Sequence, residues 1–481
     1  MKFVSKNVMR IGLETFALLG FLEFSSAAIT LDTSSEESII SAANTVAQGL
    51  MNYYHGNEYG YTPGIMSGDY YWWESGAAWG SMIDHWYFTQ NTTYETLIMK
   101  GILFQTGDDL NFTPKNQTSS LGNDDQGFWG LTTMQATERN FTNPSSDDPQ
   151  WLALSQAVFN SISSVWESSS CGGGVRWQKF TLNKGYNYKN SISNGVLFQL
   201  GARLARYTDN DTYAEWAEKI WDWETDIGLI SDAYYVYDGI DIDSDGTTCS
   251  DMDSIQWTYN LGVFMAGCAY MYNYTDGFNA TAADIWKTRL DGLIETMSWF
   301  TYESTSILYE PACELSGSCD VDQQSFKAYI SRWMGLTIQV APYTRDSLFP
   351  ILQTSAAAAI TTCSGGTDGV TCGYTWLNQS YDGSYGLGEQ MAALEVTDAL
   401  MIDYRAAPYT NTTGGSSTGD SSLGTGTVSS GDTVTKKDKI GAWVITVVTS
   451  LASIAVGLWC AIDSEMENTK NLNEWIKLDD L

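Results

Sequence analysis

"YYWWESGAAWGSM", residues 70–82, is long enough for several helical turns, yet it has no polar face. Gly76, Ala77, Ala78, Gly80 and Ser81 are interleaved there with Trp72, Trp73 and Trp79. A helix with one wet face carries a charged stripe, whereas a helix crowded on all sides needs small residues so that neighbouring backbones can approach. "SNGVLFQLGARLA" (193–205) and "YNLGVFMAGCAYM" (259–271) repeat the crowded type. Between them lie amphipathic segments with charged faces, such as "DNDTYAEWAEKIWDWE" (209–224) and "DIWKTRLDGLIETM" (284–297). Periodicity and end signals predict helices over 35–54, 71–89, 92–106, 124–139, 149–167, 188–207, 211–227, 253–274, 279–301, 323–341, 345–362 and 387–403, with few strands. The even-numbered ones are the crowded kind and the odd-numbered ones the amphipathic kind. Six inner helices ringed by six outer ones is the packing that suits this alternation, an all-α (α/α)6 toroid.

In such a ring the inner helices run parallel, so one set of their ends lines a common bowl. Polar and aromatic clusters recur at the inner-helix starts: "YYWWE", "GNDDQGFW", "GYNYKNSISNG", "DSIQWTYN" and "YGLGEQ". That end is where a site is expected. Lys and Arg total 24 against 57 Asp and Glu in 481 residues, a formal charge of -33. A nucleic-acid backbone would be repelled, and a neutral or cationic partner is favoured.

The termini point to the secretory pathway. Lys2, Lys6 and Arg10 precede "FALLGFL" and the small residues "SSAA", the order of a signal peptide over residues 1–28. Nine N-x-[ST] acceptors, at Asn91, Asn111, Asn116, Asn140, Asn210, Asn273, Asn279, Asn378 and Asn411, agree with secretion. So do eight cysteines without C-x-x-C spacing. Cys313 with Cys319 and Cys363 with Cys372 would close short loops, and Cys171 with Cys249 could form a longer bridge; Cys268 reads as a small buried apolar residue. With His55 and His85 the only histidines, no metal site or cofactor is expected. "DIDSDG" (241–246) mimics the start of a calcium loop, but its twelfth position is Met252 rather than Glu.

A globular domain is therefore expected over residues 29–410, followed by a Gly/Ser/Thr-rich linker over 411–439 and an uncharged apolar stretch over 440–462. Ser429, Ser430 and Gly431, a polar spacer and that stretch match a glycosylphosphatidylinositol (GPI) attachment signal. The polar tail, 463–481, fits a single-pass helix better, but the basic flank would then lie outside, against the positive-inside tendency. Processing to a lipid anchor is the favoured reading. Either way the domain is held at a membrane facing out.

Within "SSLGNDDQGFWG" (119–130), Asp124 and Asp125 stand side by side at a helix start. A carboxylate there satisfies free amides and the positive helix end, and one would suffice. Two consecutive helical residues diverge by about 100°, so their carboxyl groups can straddle a bond while staying about 5 Å apart, the short separation of a retaining glycosidase. Aromatics near inner-helix starts can stack on sugar rings. Trp72, Trp73, Trp129 and Trp257 are the candidates, with Glu74, Asn123, Gln126, Asn187, Asn190 and Gln256 as hydroxyl partners.

The ordered set "YYWWESGAAWG", "GNDDQGFWG", "PQWLALSQAVFN", "CGGGVRWQ", "GYNYKNSISNG" and "IQWTYNLGVF" closely resembles the fungal mannan endo-1,6-α-mannosidases of glycoside hydrolase family 76, from about Leu31 to Arg405. Within that family it looks like the GPI-anchored proteins required for cell-wall construction. The resemblance implies an (α/α)6 fold, a retaining mechanism without metal, and α-1,6-mannose chains as substrate. It implies Asp124 as nucleophile and Asp125 as acid/base. The chain would cut mannan or GPI-glycan mannose chains, or transfer the cut end to a wall β-glucan acceptor. The alternatives are a non-catalytic mannan-binding wall protein, which would not need the acid pair, and a structural wall protein, which would need a long Ser/Thr-rich repeat.

Overall fold

The computed structural model describes residues 29–117, 119–425 and 451. The signal-like segment 1–28 lies outside the described residues, as do the attachment-like Ser429–Gly431 and, Leu451 apart, the apolar stretch 440–462. Among the described residues no helix is long and apolar enough to cross a membrane.

The helices are α1 (Glu36–Met51), α2 (Trp72–Thr89), α3 (Glu95–Phe104), α4 (Asn123–Glu138), α5 (Trp151–Ser163), α6 (Ser191–Thr208), α7 (Asp211–Asp226), α8 (Thr258–Asp276), α9 (Ala280–Glu295), α10 (Val321–Val340), α11 (Arg345–Thr362) and α12 (Leu387–Asp398). The even-numbered helices pack in a closed circle, α2 on α4, α4 on α6, α6 on α8, α8 on α10, α10 on α12, and α12 back on α2. The odd-numbered helices lie outside, so the expected (α/α)6 toroid is the fold. Burial follows the two sequence types. All of α4 except Asp125 is buried, whereas α7 buries Tyr213, Ala217, Ile220, Trp221, Trp223 and Glu224 and exposes the rest wholly or partly.

Small residues act where inner helices touch. A β-carbon on Gly127 of α4 would sit 2.3 Å from Val196 Cγ2 of α6, and one on Gly267 of α8 would sit 2.2 Å from Phe198 Cε1. Neither leaves room for a side chain, since packed interiors hold few voids. The axis of the ring is closed toward the C-terminal halves of the inner helices by buried ions. Arg139 Nε binds Asp84 Oδ1 at 3.1 Å, Arg203 Nη2 binds Glu138 Oε2 at 2.7 Å, and Arg332 Nη2 binds Glu395 Oε1 at 2.5 Å. Charges buried this deeply persist because each is paired.

Two expected helix starts differ. Residues 188–190 are a strand rather than the beginning of a helix, and α8 begins at Thr258 rather than 253. Strands β1 (Tyr188–Asn190), β2 (Gly239–Ile242) and β3 (Cys249–Asp253) form an antiparallel sheet in that order. Period-two alternation is too short in three to five residues to be read against a flanking helix pattern. A hairpin of β4 (Thr301–Tyr302) and β5 (Ile307–Leu308) lies elsewhere. The calcium-like stretch is the β2–β3 turn, where Thr248 and Ser250 hydroxyls donate to Asp243 and the Thr247 amide to Asp245. The disulfides are Cys171–Cys249, Cys313–Cys319 and Cys363–Cys372, and Cys268 is buried and free. Residues 414–425, read above as linker, are laid along α5: Ser417 Oγ accepts from Leu152 N at 3.0 Å, and Asn160 Nδ2 donates to Leu423 O at 2.8 Å.

Candidate active site

The starts of α2, α4, α6, α8 and α10 line one cavity of about 520 Å³; four of the five sequence clusters contribute to it, and "YGLGEQ" at the start of α12 does not. Its wall includes Trp72 and Trp73 from α2, Asp124, Asp125 and Phe128 from α4, Asn190 from the α6 cap, Trp257 and Tyr259 around the start of α8, and Asp322 and Phe326 from α10. The sheet adds Tyr188 and Asp253 to the rim.

The carboxylate pair is held by its own helix start. The Gly122 amide donates to Asp125 Oδ2 at 2.6 Å, and the Asp125 amide donates to Asp124 Oδ1 at 3.0 Å. Asn190 Nδ2 reaches across from α6 to Asp124 Oδ2 at 3.3 Å. A β-carbon on Gly122 would lie 2.2 Å from Asp124 Oδ1 and 3.2 Å from Asp125 Oδ2, so both carboxylates converge beside this glycine and any larger residue would displace them. The segment 176–179 is stitched to the same place: Asn123 N donates to Trp177 O at 2.8 Å, Asn123 Nδ2 to Arg176 O at 2.7 Å, and Lys179 N to Leu121 O at 3.1 Å.

Burial pushes both carboxyls up. Asp124 rises well above the ordinary carboxylate range, first from burial and then from the charge of Asp125. Asp125 is pushed up to about 6 by burial, and the Gly122 amide and the Lys179 ammonium hold it from rising further. The pair therefore retains a proton at pH values where isolated aspartates would have lost it, and the two carboxyls titrate as a pair. A third cavity carboxyl, Asp322, is pushed up to about 7 by burial and by Asp320, and accepts Trp73 Nε1 at 3.2 Å.

Of the other candidates, Trp72, Trp73, Asn190 and Trp257 line the cavity, and Glu74, Asn123, Gln126, Trp129, Asn187 and Gln256 do not. Gln126 is turned about 200° from Asp124 around the helix; its amide donates to Asn111 O at 2.5 Å and Ser161 Oγ at 3.0 Å in the core. Trp129 lies below the floor, stacked between Trp72 and Phe112. Glu74 is buried behind Tyr71, accepts its amide at 2.7 Å, and is pushed up to about 9 by burial, which leaves it a neutral structural group. Asn123 is spent on the 176–179 segment, and Asn187 Oδ1 accepts from Arg176 at 3.0 Å.

Sequence reasoning missed Asp238, Tyr188, Trp177, Tyr259 and Asp322. Asp238 is a fixed acceptor in the cleft, bound by Tyr188 Oη at 2.8 Å, Asn260 Nδ2 at 3.2 Å and the Trp257 indole. Asp238 stands in "YVYDGIDID", directly before the acidic turn 241–246, and no local pattern sets it apart from those carboxylates. Tyr188 stood in the quoted cluster "GYNYKN" and needed only the strand to be recognised.

An acidic, aromatic-walled bowl at one end of an (α/α)6 toroid, with two adjacent carboxylates at its floor, defines a glycoside hydrolase. The family profile of glycosyl hydrolase family 76 matches residues 38–412, and the chain belongs to this family. It is 48% identical over 458 residues to the mannan endo-1,6-alpha-mannosidase DCW1 of Saccharomyces cerevisiae, covering 93% of this chain and 98% of that protein. It is 47% identical over 437 residues to the mannan endo-1,6-alpha-mannosidase DFG5 of the same yeast, covering 89% and 93%. The crystal structure of Dfg5 from Chaetomium thermophilum in complex with glucosamine superposes with a TM-score of 0.76 at 42% identity, over 82% of this chain and 97% of that one. At the level of fold alone, a Salegentibacter α-1,6-mannanase in complex with α-1,6-mannotriose matches with a TM-score of 0.59 at 16% identity, over 76% and 99%.

Proposed function

We propose that this enzyme is a retaining endo-glycosidase of α-1,6-linked mannose chains, and that it acts outside the cell on mannan or GPI-linked glycans. The observation that carries this reading is the convergence of Asp124 and Asp125 beside Gly122 at the floor of the cleft. Convergence favours direct attack, because an inverting pair must stand further apart to admit water. The names of the yeast relatives supply the substrate class. Asp238, Asp253 and Asp322 around the pair favour a chain that is neutral or carries an amine, as the glycan of a GPI anchor does, and the Chaetomium relative holds an amino sugar.

Asp124 would attack the anomeric carbon while Asp125 gives its proton to the departing glycosidic oxygen. The bond to that oxygen breaks, a mannosyl ester forms on Asp124, and Asp125 is left ionised. Asp125 then takes a proton from water or from a sugar hydroxyl as that oxygen attacks the ester. Positive charge developing at the anomeric carbon beside Asp124 favours the ionised form of that residue and leaves the pair's proton on Asp125. Trp73, fixed by Asp322, and Trp257, fixed by Asp238, are the stacking faces.

Transfer to a wall β-glucan and attachment to the membrane through a GPI anchor complete the reading; the disulfides and the N-glycan acceptors support the secretory route. The purified protein, incubated with α-1,6-mannotetraose with and without β-glucan oligosaccharides, is expected to shorten the mannan chain. With the acceptor present, part of the product is expected to carry both sugars. Tight mannotetraose binding with no new reducing ends would instead favour a mannan-binding wall protein.

A further inference from the structure

Lys179 sits where the proposed chemistry has no stated use for it. Its ammonium Nζ is fully buried and has no hydrogen-bond partner. An ammonium left in that state is costly unless a charge answers it. The charges that answer it are Asp125 first and Asp124 second. The lysine cannot drift away, because its amide is bonded to Leu121 O, Gln178 is bridged to Gly122, and Arg176 and Trp177 are bonded to Asn123. The segment 176–179 therefore holds a cation behind the helix start that carries the pair, outside the residues that line the cavity. The groups that act on Asp125 are Asp124 on its own helix, Asp322 from α10 and Lys179 from this segment, with the Gly122 amide bonded to it.

We propose that Lys179 is a positioning residue for the reaction: acting through Asp125, its ammonium sets when that carboxyl releases its proton to the leaving oxygen and regains one from the acceptor. The inference rests on the proposed roles of the pair. In the first half of the cycle Asp125 loses its proton and becomes a carboxylate beside a glycosyl ester. Lys179 is the cation that stabilises it there. In the second half the same cation keeps Asp125 ionised until water or a sugar hydroxyl delivers a proton. The lysine, pulled down to about 7 by burial, is still largely charged at the mildly acidic pH where Asp125 titrates.

The sign of the effect follows. Removing the cation raises the pH at which Asp125 ionises, so Lys179→Met is expected to move the limbs of the pH–rate profile that depend on Asp125 upward by about one pH unit. Lys179→Arg keeps the charge and should restore the wild-type limbs, and Lys179→Gln provides a second neutral variant should the methionine fail to fold. A purely structural lysine would lower activity at every pH without moving a limb. Carbodiimide labelling of the substrate-free protein, with Asp125 resolved from Asp124 by peptide fragmentation, reads the same shift without any turnover. A labelling midpoint about one unit higher in the neutral variants supports the proposal even if wild type cleaves no mannan, in which case it is the glycosidase reading that falls. Unchanged midpoints and limbs in a folded neutral variant would overturn the role of Lys179.

Discussion

Asp124→Asn is expected to lower turnover of α-1,6-mannan by a factor on the order of 10⁴ or more, because no other side chain is placed to form the glycosyl ester. The fold should not suffer. Asp124 is 8% exposed and is pushed up by burial and by Asp125; its Oδ1 accepts from the Asp125 amide and its Oδ2 from Asn190 Nδ2, so an asparagine oxygen keeps the first bond and gives up only the longer second one. Replacing a strained acid with an amide removes that repulsion, so the melting temperature should stay level or rise, as often happens when an active-site strain is relieved. Turnover measured beside a thermal melt separates this from simple unfolding. A folded Asp124→Asn enzyme with wild-type activity would end the assignment and leave "GNDDQ" as an ordinary helix start.

Asp125→Asn is expected to lose about 10²- to 10⁴-fold on mannan and much less on an aryl mannoside whose leaving group needs no proton. Because Asp125 is pushed up to about 6, wild-type cleavage of mannan should fall as pH rises through that value, while the variant on the aryl substrate should lack this limb. Added azide should attack the accumulated ester of Asp125→Asn and give a mannosyl azide of α configuration. If Asp124→Asn is the variant rescued on the aryl substrate with an α azide product, the two roles are exchanged.

The alternation of "YYWWESGAAWGSM" with "DNDTYAEWAEKIWDWE" was enough to read the toroid, because crowding and wetting leave opposite compositions on inner and outer helices. Most helix bounds and the two short-loop disulfides, Cys313–Cys319 and Cys363–Cys372, were legible from caps and spacing, whereas Cys171–Cys249 spans 78 residues and spacing could only allow it. The site was half legible. Residues at the inner-helix starts, such as Asp124, Trp73 and Trp257, could be placed on the bowl from order alone. Depth could not: Gln126 and Trp129 share the same quoted motif as the pair but are carried into the core by the turn of α4. Asp238 and Tyr188 reach the cleft through a small sheet whose strands are too short to announce themselves, and Lys179 reaches the pair through bonds between segments some fifty residues apart, as between Asn123 and Arg176.

The configuration of the first sugar released from α-1,6-mannotetraose, followed by proton NMR before mutarotation, tests the account most directly. Two displacements at Asp124 and then at water predict that the new reducing end appears as the α anomer and drifts toward equilibrium afterwards. Initial appearance of the β anomer would require a water between two separated carboxylates and would contradict the paired mechanism built on Asp124 and Asp125.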